Sequence, residues 1–83
     1  MDILYVSDGC PGCDRVLQVI SQNPRIRSYL TVKWVDRDTF AMSELLATGA
    51  KAKPALVTDA GTQFARLFVN AGQIEQVFAS RYR

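Results

Sequence analysis

Apolar side chains recur along this chain at spacings that change from block to block, and each spacing predicts an element. Ile3-Leu4-Tyr5-Val6 is an unbroken apolar, partly β-branched run, the pattern of a buried strand. Ser7-Asp8-Gly9 breaks it. Beyond the break, Cys13, Val16, Leu17 and Ile20 fall at i, i+3, i+4 and i+7, one face of a helix. Pro11 suits that helix's first turn, where a missing N–H costs nothing. Asn23-Pro24 ends it, because proline pushes the residue before it out of the helical region.

Tyr29 to Asp36 alternates as a second strand, with Leu30, Val32 and Trp34 on one face and Thr31, Lys33 and Val35 on the other. Asp38 or Thr39 caps a second helix that turns Phe40, Ala41, Leu45 and Leu46 inward and stops at Gly49. Ala55-Leu56-Val57-Thr58 is a third strand. Asp59-Ala60-Gly61 fits a three-residue hairpin with Gly61 left-handed, leading into a fourth strand over Thr62 to Val69. Asn70 caps a last helix, with Gln73 as capping-box partner and Ile74, Val77 and Phe78 as its buried stripe.

The resulting order is β-α-β-α-β-β-α. A right-handed crossover makes the first two strands parallel, and the tight hairpin makes the last two antiparallel. An α/β fold follows, with a four-stranded mixed sheet flanked by three helices on its two faces. At 83 residues the chain is expected to form one domain, residues 1 to 83, without repeats or linkers.

Composition narrows the function classes. The chain is 48% hydrophobic and 22% charged, a globular balance. Its ten basic residues are scattered among eight acidic ones, so nothing resembles the basic stripe of a nucleic-acid binder. Arg25 and Arg27 read as a solvated loop, Trp34 as a core or strand-edge aromatic, and Arg81-Tyr82-Arg83 as a frayed, exposed end. No apolar run reaches the ~18 residues of a membrane span. Met1-Asp2 leads straight into the first strand, so no signal peptide is expected and the compartment expected is the cytoplasm. Thiols are kept reduced there.

The chemistry-bearing residues are the only two cysteines, Cys10 and Cys13, set in "SDGCPGCDR". Structural zinc needs four ligands, and this chain has two cysteines and no histidine. A disulfide closing so short a loop adds little stability. Two inert buried thiols would suit Cys13, which lies on the apolar face, but not Cys10 at the strand-to-helix turn. A reactive pair explains both placements. A helix N-terminus favours the thiolate of Cys10, and Cys13, one turn in, lies within disulfide reach. C-x-x-C beside a βαβ pattern reads as a thioredoxin-like redox motif. Pro54, just before the third strand, strengthens that reading. Asp8 and Asp14 near the thiols would oppose ionisation, and Arg15 and Lys53 would favour it. Gly12 leaves the space over the pair open.

With "CPGC" at residue 10 and "KAKPALV" before the hairpin, the chain resembles the glutaredoxin branch of the thioredoxin superfamily over essentially its whole length. The resemblance implies a small protein-disulfide reductase and electron carrier with a redox-active Cys10-Cys13 disulfide, Cys10 as nucleophile and Cys13 as resolving thiol. By the same resemblance Pro54 corresponds to the family's cis-proline. Pro11, Gly12, Ala52, Lys53 and Pro54 would form the thiol-substrate site, with the main chain of Lys53 pairing to the substrate. Gly12 stands where glutaredoxins commonly carry tyrosine, Ala52-Lys53 where they usually have Thr-Val, and Val69-Asn70-Ala71-Gly72 lacks their paired glycines. All three departures touch glutathione binding rather than thiol exchange.

The implied partners are therefore disulfide-containing proteins, ribonucleotide reductase among them, with glutathione or thioredoxin reductase as electron source. No bound cofactor, metal, nucleic acid or membrane is expected, and the chain is expected to be a monomer. The alternatives are a glutathione-assisted iron–sulfur carrier and an interaction module without turnover on the same fold.

Overall fold

The computed structural model describes residues 1 to 82. Five residues, Asp2–Val6, form β1, followed by the helix α1 over Pro11–Gln22. A 3-10 segment, Pro24–Ser28, leads into β2 at Leu30–Trp34. After α2 (Thr39–Ala47) come β3 (Ala55–Thr58), β4 (Arg66–Phe68) and α3 (Ala71–Arg81). The chain is thus α/β, with an open four-stranded mixed sheet and three helices.

The strands lie in the order β2-β1-β3-β4. β1 runs parallel to β2, in register Val6 to Trp34, and antiparallel to β3, in register Leu4 to Leu56. β3 and β4 are antiparallel. Every residue of β1 is buried, as a central strand covered on both faces requires. The two-residue period of the strand sorts its side chains. Leu4 and Val6 join Leu56 in a core with Val16 and Ile20 of α1 and Ile74 and Phe78 of α3. Ile3 and Tyr5 join Ala55 and Val57 in a second core under Ala41 and Leu45 of α2. Across the second core Tyr5 donates to Glu44, which also accepts from Lys33. Burial and that carboxylate push the Tyr5 phenol up to about 12.

Several boundaries differ from the sequence reading, each for a local reason. β2 is shorter than 29 to 36: its chain turns at Val35, whose N–H donates to Val6, and the turn runs into the α2 cap. The connection between β3 and β4 is not a three-residue hairpin. Asp59 and Gly61 both take positive φ, and the turn runs on through residue 65, so β4 keeps only three residues. Hydrogen bonds from Thr62 to Asp59 and from Phe64 N–H to Thr62 hold that longer turn. Arg25 and Arg27 lie in the 3-10 segment rather than a loop, which buries Ile26 between them. In α2, Asp38 is the cap and only Ala41 and Leu45 are buried. Phe40 and Leu46, expected inward, are 79% and 65% exposed.

The end of the chain is not frayed over its described part. Tyr82 is buried, stacks on Tyr29 at 5.4 Å, and donates to Asp2. Arg81 donates to the carboxylates of Asp2 and Asp59. Arg83, the third residue of the expected tail, lies outside the described residues. Asp2 also accepts the N–H of Asp59 at 2.8 Å. Burial opposes its ionisation, but the bonds from Arg81, Tyr82 and Asp59 outweigh it and hold the carboxyl down at about 2. A stitch of side chains thus ties the start of β1 to the end of α3.

Candidate functional site

The break after β1 places the cysteines. Gly9 takes φ +68°, a left-handed conformation that glycine adopts without steric cost. The turn then presents Cys10, in extended conformation, as the N-cap of α1, with Pro11 at the first helical position. Serine or aspartate usually fills this role through an oxygen. Here the acceptor is sulfur: the backbone N–H of Cys13 donates to Cys10 Sγ at 3.1 Å. Cys10 is half-buried and Cys13 fully buried in the core beneath α1. The two are joined as a disulfide, their Cα atoms 5.1 Å apart.

Two other segments, the loop ahead of β3 and the start of α3, converge on the Cys10–Cys13 turn. The loop ahead of β3 brings the Lys53 carbonyl oxygen to 3.7 Å from Cys10 Sγ. The Lys53-Pro54 peptide bond is cis, and Pro54 is buried while Ala52 and Lys53 are exposed. Gly12 lies against Pro54: a β-carbon built on Gly12 would stand 3.0 Å from Pro54 Cδ and 3.8 Å from the β-carbon of Ala71 at the start of α3. The space at Gly12 is therefore not open, as the sequence suggested, but filled by the proline loop. Glycine is what lets α1 and that loop approach so closely.

Of the four charges expected around the thiols, Asp8 and Arg15 are engaged elsewhere, while Asp14 and Lys53 are exposed. Asp8 forms an ion pair with Arg37 at 2.9 Å, and its N–H donates to Asp36 at 3.1 Å. That backbone bond is the first reason the Asp36 carboxyl sits below the usual range. Arg37 also lies over the Trp34 ring, 4.1 Å from its centroid. Arg15 pairs with Glu75 of α3. Arg37 and Asp36 were not recognised in the sequence. The signal was the parallel pairing of β1 and β2, which sets the turn after Val6 beside the turn after Trp34.

Concavities lie on two sides of the molecule. One of about 470 Å³ is lined by the C-terminal half of α1, the 3-10 segment and α3, and includes none of the cysteine-site residues. A smaller groove of about 140 Å³ runs along α2 to Lys53. Among the described residues no three His, Cys, Asp or Glu side chains gather as a metal site, and no helix is long and apolar enough to cross a membrane. No protein-family model matches this chain, and no curated protein matches it.

Proposed function

We propose that this chain is a thiol–disulfide oxidoreductase on a thioredoxin-like, glutaredoxin-like fold. The observation that carries the reading is the position of Cys10 Sγ, which takes the place of an N-cap oxygen and accepts an amide N–H of α1. An acceptor position at a helix N-terminus favours a negatively charged sulfur. Its half-buried setting leaves that sulfur reachable, and the Lys53 carbonyl marks the side from which a substrate chain would lie alongside it.

The reaction begins from the dithiol form. The Cys10 thiolate attacks one sulfur of a substrate disulfide, forming a Cys10–substrate bond while the other substrate sulfur leaves as thiolate and takes a proton from solvent. Cys13 then loses its proton and attacks Cys10 Sγ. The mixed disulfide breaks, the second substrate sulfur leaves and is protonated, and Cys10-Cys13 is oxidised. Two electrons have passed to the substrate, and a two-electron thiol reductant returns them. Glutathione with its reductase, or thioredoxin reductase, is the proposed source, and disulfide-bearing proteins such as ribonucleotide reductase are the proposed substrates.

Pairing the purified protein with each reducing system, in the presence of a protein disulfide and with NADPH loss as readout, tests the assignment. Turnover with either system supports it, and that system identifies the electron donor. Absence of turnover in both, with Cys10 and Cys13 demonstrably reduced at the start, refutes it.

A further inference from the structure

The apolar groove along α2 touches the loop that faces Cys10. Met42, Leu45, Leu46 and Ala50 line it together with Lys51 and Lys53. Leu46 is largely exposed, and so is Phe40 at the opposite end of the same helix. A globular helix ordinarily turns one face to water, yet α2 leaves large apolar side chains outside the core. Lys51 and Lys53 are exposed, and neither forms an ion pair with any described residue. Glu44, the carboxylate of α2, is held by Lys33 and Tyr5. The groove therefore ends in two uncompensated cations, and Lys53 is the residue whose carbonyl stands against Cys10 Sγ.

We infer that this groove receives an extended, acidic segment of the disulfide substrate: a leucine-sized side chain against Met42 and Leu46, with aspartate or glutamate beside Lys51 and Lys53. The inference rests on the redox reading above and adds the substrate class. Two exposed lysines at one end of an apolar groove complement such a segment in charge and in hydrophobicity, and repel a basic one. Docking along α2 would deliver the substrate disulfide to Cys10 from the Lys53 side.

The test uses two synthetic peptides, each with one internal disulfide and one leucine, flanked on the same side by two aspartates in one and two lysines in the other. Bis(2-hydroxyethyl) disulfide serves as a small neutral substrate. The reduced protein is expected to react about fivefold faster with the acidic peptide than with the basic one at low salt, with the gap closing at ~0.5 M salt. Lys51→Glu should abolish the preference, since Lys53 remains to offset the new carboxylate, and Leu46→Ser should slow both peptides, while both variants keep the wild-type rate on the small disulfide. Equal peptide rates in the wild type, a preference untouched by Lys51→Glu, or peptide rates untouched by Leu46→Ser overturns the inference and leaves the redox reading standing. If wild type fails even on the small disulfide, the redox reading falls. Fluorescence anisotropy with serine-for-cysteine peptides then decides the groove alone: binding of the acidic peptide that Lys51→Glu abolishes upholds it, and no binding rejects it. A dimer in sedimentation that Leu46→Ser dissolves would assign the face to a second copy and also overturn the inference.

Discussion

Pro54 packs against Gly12 so closely that residue 12 has no room for a β-carbon at ordinary contact distance. The proline ring lacks the freedom of a long flexible side chain, so the proline loop must move if residue 12 grows. Two effects compete in Gly12→Ala. Removing a helical glycine gains up to ~1 kcal/mol. Overpacking costs ~1–3 kcal/mol. The second wins, so Gly12→Ala should lower stability by about 1 kcal/mol in urea unfolding, and Gly12→Tyr by more. Both should slow disulfide exchange by displacing Lys53 from Cys10. A stabilised Gly12→Ala would show that the loop yields without cost.

Asp2 makes stability pH-dependent in acid. Its carboxyl sits at about 2 in the folded chain against an ordinary 3.8. A depressed folded value means stabilisation that is complete above about pH 4 and is lost as pH falls toward 2. The shift corresponds to about 2 kcal/mol. Unfolding free energies measured between pH 6 and 2 should fall across that window, and Asp2→Asn should flatten that part of the curve. Identical acid slopes for both proteins would contradict the assignment.

Ion pairs of different burial should differ in consequence. Arg81→Ala leaves the buried carboxylate of Asp2 without its guanidinium, at a cost of about 2 kcal/mol after allowance for the partly exposed arginine. Arg37→Ala breaks the exposed pair with Asp8 and the contact over the Trp34 ring, together worth no more than ~1 kcal/mol. Chemical denaturation of the two variants side by side checks the ranking, and equal losses would refute it.

Removing the resolving thiol should trap the first half-reaction. Cys13→Ser is expected to accumulate a stable Cys10–substrate mixed disulfide, visible by mass spectrometry, while Cys10→Ser forms none. A mixed disulfide on Cys13 in the Cys10→Ser variant, at the wild-type rate, would reverse the two roles.

The elements legible in the sequence are those whose burial is written in local periodicity. β1 reads as buried because all its residues are apolar between Ile3 and Val6, and α1 reads as a helix because its core residues keep one face. α2 was misread because apolar residues surround it: nothing in Phe40, Ala41, Met42, Leu45 and Leu46 tells which of them the sheet covers, and the answer is Ala41 and Leu45. The C-terminal stitch was invisible because its acceptor, Asp2, lies 79 residues before Arg81. Cys10 and Cys13 were legible from spacing and from their place after a strand. The tight seat of Gly12 was not, since the clash that forbids a side chain there comes from Pro54, brought in by the fold.

The rate of alkylation of the fully reduced protein by iodoacetamide, followed from pH 4 to 10 with the modified cysteine located by mass spectrometry, is the most direct measurement of a sulfur charged by helix amides. Labelling confined to Cys10, with a rate already level near pH 7, is the outcome expected here. A rate that keeps climbing through pH ~8.5, as for an ordinary thiol, or labelling spread equally over both cysteines, would contradict it.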